Sequence, residues 1–191
     1  DAARFEEGTR YIVSAPVAEL YGAPERGRLE RQLLMGEACE VLTIEQGMAF
    51  CRSERSLYVG YVSAKMLAPW RAPTHRIAAA RSFAFDRPDL KAPGPLALSL
   101  GSEVSVVGKD GSFAETECGF IPHHHLVPVD SVETDPVSVA ERLLATPYLW
   151  GGNSAFGIDC SGLVQIAMHA CGRACPGDSD QQERAFGTAL P

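Results

Sequence analysis

Cys160 stands between Asp159 and Ser161 in the stretch TPYLWGGNSAFGIDCSGLVQ, 146–165, whose residue types suit nucleophilic chemistry. Gly151, Gly152 and Gly157 make a tight, irregular loop ahead of it. Asp159 suits the cap of a following helix, which makes Cys160 the first helical residue. Backbone amides and the positive end of the helix dipole stabilise a thiolate there. Gly162 has no side chain, so a substrate backbone can approach the helix start. The residues alone leave two readings open. One is a thiol nucleophile that forms a covalent intermediate. The other is a small, buried cysteine at a helix start.

The other reactive residue types are scattered. Cys39, Cys51, Cys118, Cys171 and Cys175 form no CxxC pair and read as free thiols of a reducing compartment. Cys171, Cys175 and His169 are spaced too loosely for a typical zinc knuckle. The five histidines offer no evident general base. His169 lies nine residues along the same helix, roughly 13.5 Å up its axis and on another face. His123, His124 and His125 fall where a turn into a last strand is predicted, and His75 falls in a linker.

The elements that must position Cys160 show an internal repeat. LLMGEACEVL (33–42), GMAFCR (47–52) and YVGYVSAKML (58–67) are followed by LSLGSEVSVV (98–107), GSFAET (111–116) and CGFIPHHHL (118–126) in the same order. Gly60 to Leu67 and Gly119 to Leu126 are both seven apart. Alternation such as Glu103-Val104-Ser105-Val106 predicts half-buried strands, and short strands with glycine turns predict small barrels. Two proline-bearing linkers, 68–75 and 128–136, divide the chain. The expected units are 1–72, 73–131 and 132–191. The last reads as helical. Ser138 to Glu141 has capping-box spacing, Val139, Leu143 and Leu144 share a face, and Pro147 stops the helix. A second helix starts near Cys160, with Leu163, Val164, Ala167, Met168 and Cys171 as its packing stripe and Gly172 at its end.

Composition narrows the function classes. Lysine plus arginine number 17 and aspartate plus glutamate 24, a net charge of −7, which argues against nucleic acid and anionic membranes as partners. A hydrophobic content of 46% is that of a folded protein, and no apolar run approaches a membrane span. The first residues of the sequence do not have the basic, apolar, small-residue pattern expected of a signal peptide.

PYLWGG, DCSGLVQ and PGDSDQQ (176–182) together resemble the NlpC/P60 superfamily of bacterial cell-wall cysteine peptidases. The two repeated units resemble bacterial SH3-like domains. The combination is similar to γ-D-glutamyl-L-diamino-acid endopeptidases. The fold this implies is α+β: two small SH3-like β-barrels, then the helical N-terminal half of a papain-like domain.

The resemblance implies Cys160 as nucleophile and Tyr148 as a hydroxyl beside the oxyanion. It implies Asp159 and Ser161 as receptors for the free amine and backbone of a stem peptide. Asp178 and Ser179 match two places of an Arg-Asp-Ser triplet whose first place is here Gly177. Tyr58 resembles an aromatic wall of the site and Glu30 an acidic partner of the amine; their plain readings are a surface tyrosine and a solvated charge. No metal or cofactor is implied. The implied partner is a peptidoglycan stem peptide or murein tripeptide. The implied setting is bacterial, cytoplasmic recycling ahead of the cell envelope.

The resembled family takes its base from a histidine well downstream of the cysteine. The expectation is therefore that 1–191 lacks that histidine and its sheet, and leaves Leu143, Leu144, Leu163 and Met168 exposed. The alternatives are a non-catalytic wall-peptide binder with a degenerate peptidase domain, and an acyltransferase on the same scaffold.

Overall fold

The computed structural model describes residues 7–186. Its first strands are β1 (Thr9–Val13), β2 (Val17–Tyr21), β3 (Leu29–Leu34), β4 (Ala38–Glu45), β5 (Met48–Ser53), β6 (Val59–Ser63) and β7 (Leu67–Pro69). They make one curled sheet in the order β3-β2-β6-β5-β4-β1-β7. Alternation drives it: Ala18 and Leu20 of β2 are fully buried and pack with Leu33, Val41, Ala49 and Val62.

The next strands are β8 (His75–Ile77), β9 (Arg81–Ala84), β10 (Leu96–Ser99), β11 (Glu103–Val104), β12 (Val106–Asp110), β13 (Phe113–Thr116), β14 (Gly119–Pro122) and β15 (Leu126–Pro128). They form three small sheets, β10-β9, β11-β8-β15 and β12-β13-β14. These surround a core that includes Ile77, Leu98, Val104, Ala114 and Ile121.

The sequence repeat is a structural one. β4, β5 and β6 lead through a 3-10 turn at Ala64–Met66 into β7, and β12, β13 and β14 lead through a 3-10 turn at His123–His125 into β15. The Leu67 amide donates to the Ala64 carbonyl, and the Leu126 amide to that of His123. β7 returns to pair with β1, and β15 with β8. Gly36 and Gly101 take matching left-handed φ values of 86° and 85°, where a side chain would be strained.

The last segment carries α1 (Pro136–Glu141), the short strands β16 (Asn153–Ser154) and β17 (Gly157–Ile158), α2 (Cys160–Ala170) and α3 (Ser179–Ala185). Three details differ from expectation. The cap of α1 is Asp135, whose carboxylate accepts from the Val137 and Ser138 amides; Pro136 then needs no amide partner, so the helix starts before Ser138. The buried face of α2 is turned toward Ile166, Ala167 and Ala170, leaving Val164 exposed. A third helix, α3, follows Asp178.

The segment also finds its own cover. Val139, Leu143, Ile158, Ile166 and Ala170 pack against Leu100 from the second set of strands, each large side chain contributing about 1.5–3 kcal/mol. Leu143 is thus buried, Leu163 and Met168 are half-buried, and Leu144 alone of the four is exposed. β3, at the sheet edge, is covered as well: the Gln32 amide donates to the Gly151 carbonyl at 2.7 Å, and Gln32 Oε1 accepts from the Asn153 amide at 3.2 Å. The whole is a mixed α/β fold, mostly strands with few helices.

Candidate active site

Asp159 caps α2. Its Oδ1 accepts from the Gly162 amide at 2.7 Å and its Oδ2 from the Gly151 amide at 3.0 Å. Cys160 is thereby the first residue of an 11-residue helix, and it is the exposed one among six free cysteines. A Cβ at position 162 would lie 2.4 Å from the Gly152 carbonyl oxygen, so glycine is required where the loop crosses the helix start.

Cys160 opens into a small cleft of about 90 Å³, lined by Arg28, Glu30, Tyr58, Tyr148, Trp150, Asp159, Ser161, Asp178 and Ser179 besides the cysteine. All eight residues picked from the sequence therefore meet in one place. Glu30 comes from β3 and Tyr58 from the loop just before β6, and the other six come from the last segment. Tyr148 is 65% exposed, so its hydroxyl is free to face a ligand. None of the five histidines, all within the described residues, lines the cleft.

Tyr58 and Asp178 close one side. The Tyr58 hydroxyl donates to Asp178 Oδ1. Burial first, then that bond, pushes the Tyr58 hydroxyl up to about 12, so it remains a donor across the physiological range. A Cβ at Gly177 would meet the Tyr58 ring at 2.3 Å; only glycine lets the ring lie there.

Arg31 is the residue the sequence reading missed. Its side chain is 1% exposed. Its guanidinium donates to Asp159 Oδ1 at 3.2 Å, Ser161 Oγ at 2.9 Å and the Gly177 carbonyl at 2.6 Å. It also lies 4.9 Å from the Tyr58 ring centre. Asp159 and Ser161 are thus already engaged by protein groups. The signal was available: Arg31 and Gln32 interrupt the apolar run of β3, which is what an edge strand with polar business on its outer side looks like. Gln182 is a second omission. Its Nε2 donates to the Ser161 and Pro176 carbonyls at 3.0 and 2.9 Å, tying α3 to α2.

Residues 20–67 match the bacterial dipeptidyl-peptidase SH3 domain, and residues 145–189 match the NlpC/P60 family. The chain carries an SH3 domain and an NlpC/P60 domain. It is 36% identical over 75 residues to the γ-D-glutamyl-L-lysine dipeptidyl-peptidase of Bacillus subtilis (strain 168), a match covering 38% of this chain and 25% of that protein. It is 26% identical over 183 residues to dipeptidyl-peptidase 6 of Lysinibacillus sphaericus, covering 82% of this chain and 67% of that protein. The crystal structure of an NlpC/P60 family protein from Bacillus cereus superposes with a TM-score of 0.79 at 18% identity, over 96% of this chain and 79% of that one, and has the same fold. No helix among the described residues is long and apolar enough to cross a membrane.

Proposed function

We propose that the protein is a cysteine peptidase acting on the γ-D-glutamyl–diamino acid bond of peptidoglycan stem peptides whose N-terminal L-Ala is free. The observation that carries this is Cys160, exposed at the first turn of α2 in a cleft built jointly by the SH3 and NlpC/P60 domains. The names of the relatives agree with the bond. In this reading both repeated strand units are SH3-like barrels, and the last segment is the helical half of a papain-like domain.

The Cys160 thiolate attacks the amide carbonyl. The Cys160 backbone amide and the Tyr148 hydroxyl donate to the oxyanion. An imidazolium protonates the leaving amine, and water then hydrolyses the thioester. That protonation needs an imidazole beside Cys160, and no histidine lines the cleft among the described residues. Glu30, Asp159 and Ser161 face the substrate amine and backbone, while Tyr58, Asp178 and Ser179 wall the end of the cleft. A closed end fits release of a dipeptide from a free N-terminus. The matching setting is recycling of free wall peptides in a bacterial cytoplasm.

The same lack of a cleft histidine favours a second reading, a wall-peptide binder without turnover. Incubation with L-Ala-γ-D-Glu-L-Lys separates the two, with imidazole added as an exogenous base and products read by mass spectrometry. Release of L-Ala-γ-D-Glu that is lost in Cys160→Ala supports the peptidase. Binding with no release at any imidazole concentration supports the binder.

A further inference from the structure

We infer that Arg28 is a specificity residue of the cleft: it pairs with the free α-carboxylate of the γ-linked glutamyl residue, beside the Glu30 that the proposed function already places at the ammonium. This rests on the proposed peptidase reading and names the part of the substrate that reading leaves unread. A glutamyl residue joined through its γ-carbonyl keeps its α-carboxylate free, a few bonds from the scissile amide. An N-terminal L-Ala brings an ammonium at the other end. The ligand is therefore a zwitterion, and a cleft that selects it needs one cation and one anion not already committed elsewhere.

The lining meets that requirement. Among the described residues, its charged side chains are Arg28, Glu30, Asp159 and Asp178. Asp159 is held by Arg31 and two backbone amides. Asp178 accepts from Tyr58 and from Gln181. Arg28 and Glu30 make no ion pair or side-chain hydrogen bond with other described residues, although both face the cleft. Arg28 lies just ahead of β3 and Glu30 at the irregularity where β3 slips its register against β2, so one short stretch brings both charges to the cleft.

Arg28 is also held for the task. Its guanidinium carbon lies 4.3 Å over the Trp150 ring. Stacking occupies the face of the guanidinium and leaves its edge, with the N–H fork, for a carboxylate. Trp150 itself lies ten residues before Cys160, so the stack ties the cation to the loop that frames the nucleophile. Arg31, the other nearby guanidinium, is buried behind the cleft and spent on protein acceptors. Gly177 supplies no side chain.

The test uses activated esters, L-Ala-γ-D-glutamyl p-nitrophenyl ester and its α-carboxamide counterpart, the D-isoglutaminyl ester. A p-nitrophenolate leaving group needs no protonation, so acylation of Cys160 in the chain as it stands reports recognition. The second-order acylation rate should favour the α-carboxylate ester about tenfold or more, as for a charge-assisted pair. Arg28→Gln should bring the ratio to within about twofold of one, and Arg28→Lys should fall between. The thermal midpoint should not move, since Arg28 is exposed. A preference retained in Arg28→Gln, or absent in the wild type, overturns the assignment and leaves the peptidase reading intact. If neither ester acylates a Cys160 that iodoacetamide still alkylates, the peptidase reading fails and the clamp with it.

Discussion

Arg31 and Asp159 lie 128 positions apart, yet their side chains meet at 3.2 Å with 1% and 11% of their surfaces exposed. The carboxylate that caps the helix of the nucleophile is thus neutralised by a strand of the SH3 domain. The Arg31 Nε has no partner among the described residues, which adds to the cost of burying the guanidinium. Removing the guanidinium leaves a buried carboxylate without its cation. Arg31→Met should lower stability by about 3 kcal/mol, read as a shift of the denaturant midpoint. Arg31→Lys keeps the charge but loses the fork, and should fall between. An unchanged midpoint in Arg31→Met would mean the pair does not hold the domains together.

The thiols should react in an order set by access. Cys39, Cys51, Cys171 and Cys175 are buried, Cys118 is half-buried and Cys160 is exposed. Burial also raises Cys118 and Cys175 above the ordinary thiol range, which slows them further. Mass-mapped iodoacetamide labelling of the native protein should modify Cys160 first, Cys118 second, and the other four only after unfolding. Early labelling of Cys118 with Cys160 inert would count against the nucleophile.

Tyr148 gives a cleaner test of chemistry than of stability, because its side chain is largely exposed. Under imidazole-supported turnover, Tyr148→Phe should reduce kcat by roughly 10²–10³ with little change in KM, as for loss of one oxyanion donor. Its denaturant midpoint should stay within about 0.5 kcal/mol of wild type. An equal kcat would reduce Tyr148 to part of the cleft wall.

His169 makes a prediction about acid. Burial first, and then Arg55, depress its imidazole from 6.5 to about 4. Between those values the unfolded chain binds a proton that the folded chain does not. Stability therefore falls as pH drops from about 6.5 to about 4, by roughly 2 kcal/mol for a half-buried ring, and the effect levels off below. Glu103, raised by burial, works in the opposite direction. Comparing wild type with His169→Gln isolates the histidine. Parallel stability–pH curves for the two would refute the assignment.

The parts legible in the sequence were those with local signals. Alternation and glycine turns exposed the repeat, including the equal spacing that ends at Leu67 and Leu126, although not that a 3-10 turn precedes each leucine. Asp159 before Cys160 gave the helix start. The α1 cap was misread because Ser138 to Glu141 imitates a capping box, whereas Asp135 followed by Pro136 is the stronger pair. Leu100 under the helices, and Arg31 behind Asp159, were not legible. Each depends on the docking of segments far apart in the chain, and periodicity carries no information about which surfaces meet.

The most direct measurement is the site of acylation by L-Ala-γ-D-glutamyl p-nitrophenyl ester, mapped by mass spectrometry after the burst and before the thioester hydrolyses. The nucleophile is tested without the base, because this leaving group departs unprotonated. One L-Ala-γ-D-glutamyl adduct per chain is expected, on Cys160, with a matching burst of p-nitrophenolate, and neither in Cys160→Ala. An adduct on another residue, or an equal burst from Cys160→Ala, would contradict Cys160 as the nucleophile.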